Sequence, residues 1–249
     1  MSAEQPKTPH TDAAPGAAAS QSLTLVPLMR KVENTAWKHI LKCLEAEGRS
    51  SLCLPIPIER WVEGPLGLRL EIADLRHLDS SAGEVLGATL LAEKVIRISD
   101  RIVEQENRYR FTVAHELGHV MLHNHLSGRF RDTSDGEFLA GKFEREADRF
   151  AAAFLIPANA FRQELARYST QSGIAAIELL GSVSREEAAA TQILTQDVLP
   201  KVSKRFGVAQ TTALGRFRDL QIDGCRPMIP FRVISRLHAS IVARFRNPG

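Results

Sequence analysis

"FTVAHELGHVMLH", residues 111–123, decides how the rest of this 249-residue chain is read. An α-helix turns about 100° per residue, so side chains four apart share a face. His115 and His119 then offer two imidazoles to one point, with Glu116 beside the first. Neutral imidazole nitrogens are zinc ligands, and a catalytic zinc keeps one position open for water. A carboxylate next to such a pair is placed to take a proton from that water as it attacks a carbonyl. Phe111, Ala114, Leu117, Val120 and Met121 supply a face to bury, and Gly118 lets another backbone come close, at a helix-propensity cost of about 1 kcal/mol.

The stretch holds more histidines than one ion needs. His123 is rotated about 80° from His115 and sits about 6 Å further along the axis than His119. It is therefore expected to support the site from behind or to pack, and not to bind. His125, past the helix end, is expected in solvent. His10, His39, His77 and His238 are isolated and carry no signal.

Two histidines and a water leave the ion one protein ligand short. "EREAD", residues 144–148, supplies the best candidate. Glu144 and Asp148 lie four apart on one helical face. Glu144 can bind the ion while Asp148 accepts a hydrogen bond from a ligand imidazole and fixes its tautomer. Glu146 is about 200° around from Glu144 and is expected to face solvent. A charged exposed stripe is the bland alternative, weakened because Ala147, Phe150 and Ala151 give this helix a buried side with room for a neighbour. Tyr109 and Tyr168 are the phenols available as oxyanion donors.

Composition is that of an ordinary soluble protein, 44% apolar and 24% charged. No apolar run reaches the 18 or more residues of a membrane span, and the N-terminus lacks the basic and apolar regions of a secretory signal. Cys43, Cys53 and Cys225 have no metal-ligand spacing and read as reduced thiols, which points to the cytoplasm. The net charge of +3 is too small to demand a polyanionic partner. From Lys201 onward, however, ten Lys or Arg stand against Asp219 and Asp223. Such a basic segment can meet nucleic acid, but is more often a solvated face.

Residues 24–48 have helical spacing at Val32, Trp37, Ile40, Leu41 and Leu44, stopped by Gly48. A short helix is expected over Ile58–Val62, a strand in "LGLRLEIADL" and a β-hairpin around Ala92-Glu93-Lys94 with Val95–Ile98 as its second strand. "GKFEREADRFAAAFLIP" reads as a helix ended by Pro157. Beyond it the chain is mostly helical, with breaks near Gly173, Gly181 and Gly207, and "LPKVSKRFGVAQTTALGRFRDL" has the cadence of a helix-turn-helix. A last helix fits Val233–Phe245.

"YRFTVAHELGHVMLH", followed about twenty residues later by "EREADRFAAAFLIP", resembles the ImmA/IrrE-type metallopeptidases, from about Leu54 through Leu220. The resemblance implies an α+β fold, zincin-like, with a small antiparallel sheet packed on the HExxH helix and a helical C-terminal region after it. It implies zinc on His115, His119 and Glu144, with Glu116 as base. It further implies cleavage of a helix-turn-helix repressor that controls mobile-element or stress-response genes. The repressor is expected as a separate polypeptide, because this chain starts in a low-complexity tail. The expected organisation is a disordered tail over 1–23, the metallopeptidase domain over 24–165, the helical region over 166–225 and a basic tail over 226–249. The strand expected nearest the cleft, ready to pair with substrate, is Val95–Ile98. Two other functions stay open on the sequence: a non-proteolytic regulator that binds a repressor or DNA, and a toxin of a toxin–antitoxin pair.

Overall fold

A computed structural model describes residues 25–27, 29–79, 83–123, 136–222 and 226–246. The tail expected over 1–23, together with His125 and Cys225, lies outside them. Helix α1, Arg30–Ala46, buries Val32, Ala36, Ile40, Cys43 and Leu44 at three- and four-residue intervals. Leu41, expected inward, is 48% exposed, because the inward stripe runs through Ala36 and Cys43 instead. Gly48 follows with a left-handed φ of 63°, open to glycine without strain. Helix α2, Ile58–Glu63, brings Trp61 into the core, where its ring meets Phe154 edge-on and its Nε1 donates to Glu47 Oε1 at 2.8 Å.

The sheet beside the motif helix has three strands, β2 Arg69–Ala73, β3 Gly87–Leu90 and β4 Val95–Ser99, in the order β2-β4-β3. The hairpin β3–β4 forms as the sequence predicts, with Lys94 at φ 55° in its turn. The sheet is nevertheless mixed and not antiparallel, since β2 pairs parallel to β4 from Arg69 opposite Val95 to Ala73 opposite Ser99. Burial explains the order: Val95, Ile96, Ile98 and Ser99 are buried, and a strand covered on both faces takes the centre. With β2 and β3 on its two sides, β4 has no edge to offer a substrate; β3 is the edge strand on the motif helix's side. Ile72, at the end of the other edge strand, is 49% exposed.

Helix α3, Glu106–His123, carries the motif, and α4, Gly136–Leu155, carries the acidic element. Buried residues lie around most of α3, including Arg110, Val113, Ala114, Glu116, Leu117 and Gly118, as befits a helix covered by the sheet on one side and by α4 on another. The two helices touch at Gly118, where a Cβ would stand 3.1 Å from the Ala147 Cα and 3.2 Å from the Phe150 Cβ. The room expected of Gly118 and Ala147 is thus used in full.

After Pro157 come α5 Ala158–Ser172, α6 Ala176–Ser184, α7 Ala188–Ile193, α8 Leu199–Phe206 and α9 Gln210–Asp219. Gly173 and Gly207 end α5 and α8 in left-handed geometry, whereas Gly181 sits inside α6 and breaks nothing. A π-turn over Leu194–Val198 joins α7 to α8. It precedes Pro200, which has no N–H to continue the regular ladder. Strand β5, Leu220–Ile222, pairs with β1, Leu25–Pro27, on one side and with β6, Arg226–Pro227, on the other. Helix α10, Phe231–Arg246, buries Val233, Ile234, Leu237 and Ile241. One apolar core runs from Val32 to Ile241.

Two arginines tie the helices together. Arg110 on α3 donates to Ile56 O at 2.7 Å and to Gly207 O at 3.0 Å, joining the motif helix to the segment before α2 and to the α8–α9 turn. Arg216 on α9 is 1% exposed and pairs with Glu33 on α1. Removing one partner of a buried pair strands the other charge, which costs about 3–5 kcal/mol, while an apolar replacement of both is nearly neutral. Glu33→Ala is therefore expected to lower unfolding free energy in urea by about 3 kcal/mol, and adding Arg216→Met to recover most of it. Equal stability of Glu33→Ala and the parent would refute this account of the core.

Candidate metal centre

The site begins with the Gly118–Ala147 contact, which sets α3 and α4 close enough for their polar faces to meet. His115 Nε2 lies 3.1 Å from Glu144 Oε2 and 3.1 Å from His119 Nε2, and His119 Nε2 lies 3.3 Å from Glu144 Oε1. Two imidazole nitrogens and a carboxylate oxygen converge, with the whole donor set inside 4.8 Å. A tetrahedral ion with bonds of about 2.0 Å would hold its ligands about 3.3 Å apart, so the donor triangle fits zinc. Neutral imidazole lone pairs facing each other at this range need a cation or a proton between them. The donors fit the ion in number, type and spacing.

The remaining nitrogen of His115, Nδ1, meets Asp148 Oδ1 at 2.9 Å. His123 does lie behind the pair, and its side chain is 9% exposed. Its Nδ1 is 3.3 Å from His119 Nδ1 and its Nε2 is 3.0 Å from Glu146 Oε2. Glu146 is therefore not a solvent-facing residue: its side chain is 20% exposed and turned toward α3. The Phe143 ring packs against the His123 ring, tilted by 48° at 4.6 Å between centroids.

Glu116 is buried beside the donors, and its Oε2 accepts a hydrogen bond from the Thr89 hydroxyl at 2.7 Å. Burial pushes its carboxyl above the usual range, against the Thr89 hydrogen bond and the fields of His115 and His119. Strand β3 makes this contact possible through Gly87, where a Cβ would stand 2.5 Å from Glu116 Oε1 and 2.8 Å from the Thr112 Cγ2. Neither Gly87 nor Thr89 stands out in the sequence. The available signal is a glycine two residues before a threonine in an edge strand, so that both face the same side.

The cleft over the donors has a volume of about 520 Å³ and is lined by Glu84, Val85, Leu86 and Gly87 on one side and by Arg108, Phe111 and Thr112 on the other. Neither Tyr109 nor Tyr168 lines it. Its rim is fixed at Val85, whose N–H donates to Asp79 Oδ1 at 2.8 Å while Arg101 grips the same carboxylate. Hydrogen bonds from Arg101 and Val85 hold Asp79 down to about 2. Arg108 and Phe111 also line a neighbouring cavity of about 680 Å³, together with Asp148, α9 residues and Phe231, Ile234 and His238 of α10.

The family model for peptidase M78, described as the IrrE N-terminal-like domain, matches residues 68–216. A solved Mycobacterium tuberculosis transcriptional regulator is similar over 80% of this chain and 49% of its own length, at 19% identity and a TM-score of 0.47. The chain thus spans about half the length of that regulator. No curated protein matches it.

Without an ion, burial disfavours the charged form of His115, but hydrogen bonds to Asp148 and Glu144 and the charge of Glu116 outweigh it and hold the imidazole up to about 10. Hydrogen bonds from His115 and His119 hold Glu144 well below the usual carboxylate range. Binding an ion must therefore expel the His115 proton, so affinity rises with pH through the neutral range. Calorimetry at pH 7 in buffers of different ionisation enthalpy is expected to show about one proton released per zinc bound. Uptake without proton release would contradict the charged His115.

Proposed function

Since this chain belongs to the peptidase M78 family, we propose that it is a zinc-dependent endopeptidase, zincin-like in arrangement, whose target is a helix-turn-helix repressor. The observation that carries the reading is the convergence of His115, His119 and Glu144 within 4.8 Å of one another, beside a buried Glu116. In this proposal the two histidines and Glu144 hold the ion, Asp148 and His123 steady the ligand imidazoles, and Glu116 is the base. The division into a metallopeptidase unit over 24–165 and a helical region over 166–225 belongs to the same proposal.

Zinc bound there would polarise a substrate carbonyl and acidify a water. Glu116 takes the water's proton at a carboxylate oxygen and delivers it to the departing amine. Burial of Glu116 raises its basicity above that of an exposed carboxylate, which favours taking the proton. Thr89 holds one carboxylate oxygen, at 2.7 Å, and so limits how the base can turn. The exposed edge of β3 beside the cleft gives an extended peptide a strand to pair with.

The DNA-binding alternative draws less support. Of the basic groups on α9, Arg216 is buried against Glu33, and Arg218 bonds to Asp219 at 2.8 Å. Helix α9 also packs against α10. Among the described residues no helix is long and apolar enough to cross a membrane.

The decisive test is Glu116→Gln with zinc supplied and a co-expressed repressor as substrate. Cleavage is expected to fall by at least about 10²-fold, the lower range for a general base, with zinc content unchanged. Undiminished cleavage would sink the mechanism, and a zinc-free parent protein would sink the site. A second pair of variants probes the strand behind the base. Thr89→Val should slow cleavage by about 10-fold, the worth of one hydrogen bond. Gly87→Ala should slow it further by displacing Glu116, and both variants should keep their zinc. Wild-type rates in both would refute the role given to β3.

A further inference from the structure

Both candidate ligand imidazoles have their second nitrogen tied back toward a carboxylate of α4, by routes of different length. For His115 the tie is direct, Nδ1 to Asp148 Oδ1 at 2.9 Å. For His119 it passes through a second ring: His119 Nδ1 to His123 Nδ1 at 3.3 Å, then His123 Nε2 to Glu146 Oε2 at 3.0 Å. Two ring nitrogens hydrogen-bond only if one of them carries the proton. When His119 gives its Nε2 lone pair to an ion, its own proton must sit on Nδ1. His119 is then the donor and His123 Nδ1 the acceptor. The proton of a neutral His123 is left on Nε2, aimed at Glu146.

We infer that Glu146 is a positioning residue of the metal centre, acting through His123 to fix the tautomer and ring orientation of His119. The inference rests on the proposed ligand set and adds to it a residue whose place on its own helix points to solvent. The surroundings suit the role. Phe143 packs against the His123 ring at 4.6 Å between centroids, and the His123 side chain is only 9% exposed. The Lys142 ammonium stands 3.9 Å from the other Glu146 oxygen, holding the carboxylate from behind. The i,i+4 spacing of His115, His119 and His123 on α3 meets Glu144, Glu146 and Asp148 on α4, so that each ligand ring is backed by an acid.

A purely structural pair, His123 with Glu146 locking the end of α3 onto α4, would use the same contacts. Metal affinity separates the two. Zinc alone is titrated into the full chain against a competing chelator, with the melting temperature of the metal-free protein recorded for each variant. Glu146→Ala and His123→Ala are expected to weaken zinc binding by about 10–100-fold, the usual cost of losing a partner behind a ligand. His123→Gln should recover much of the loss, since its amide can accept from His119 and donate to Glu146. Glu146→Gln should fall between, keeping an acceptor without the charge. Cobalt substituted for zinc should show a changed absorption band in Glu146→Ala if the His119 ring has turned. Should His123→Ala fail to fold, the two glutamine variants carry the comparison.

Parent-like zinc affinity in Glu146→Ala, with a lowered melting temperature only, would overturn the inference and leave a structural tie. Equal loss in His123→Gln and His123→Ala would overturn it as well. Failure of the parent chain to take up zinc would instead remove the proposed function beneath it, an outcome distinguishable from either.

Discussion

Two helices have to meet backbone to backbone before three ligand atoms can share an ion. One helix with histidines four apart supplies two donors and leaves the third to come from elsewhere, so the distance between α3 and α4 decides whether a site exists. Gly118 sets that distance, with the Ala147 Cα 3.1 Å from where its Cβ would be. On α4 the small and the polar residues share one stripe, Glu144, Ala147, Asp148 and Ala151, at three- and four-residue steps. The contact that brings the helices together therefore also aims the carboxylates. The sheet on one flank, α1 against α4 and Arg110 reaching to Ile56 and Gly207 hold the pair in place.

What could be read from the sequence was what one helix determines alone. The pairing of His115 with His119, the approach at Gly118 and the shared face of Glu144 and Asp148 follow from a 100° rotation per residue. The same rule misjudged Glu146, because it describes where a side chain leaves its own helix and says nothing of the neighbour. Against a helix as close as α3, a residue well off the contact line still reaches His123. The sheet divided in the same way. The hairpin β3–β4 is local and legible, whereas the parallel pairing of β2 with β4 joins residues 26 apart and depends on which strand the rest of the protein buries. That also moved the free edge from Val95–Ile98 to Gly87–Leu90 and revealed the contacts of Gly87 and Thr89 with Glu116.

The basic C-terminal fifth illustrates a different limit. A count of charges along the chain suggests an open cationic surface, but several of the arginines are engaged within the fold. Arg216 is buried with Glu33 and Arg218 is held by Asp219, whereas Arg232 and Arg236, both 71% exposed, pair with Glu186 at the surface. Local charge excess is a property of sequence; an electrostatic surface is what remains after internal pairing. Two helices do meet at Phe206-Gly207-Val208, with Gly207 left-handed at the turn. Here those helices serve as core, contributing Val202, Phe206, Leu214 and Phe217.

The smallest of the site's parts has the widest reach. Gly87 and Thr89 lie on one face of a four-residue strand, and both touch Glu116. The segment leading into that strand, Glu84 to Leu86, is also the wall of the cleft, anchored at Val85 by Asp79 and Arg101. The strand thus has two sides with different neighbours: its free edge borders the cleft, and Gly87 with the Thr89 hydroxyl meets the Glu116 carboxylate. Under the proposed function, a peptide seated out of step along β3 would also strain the hold on Glu116, so that docking and the placing of the proposed base would depend on one short strand.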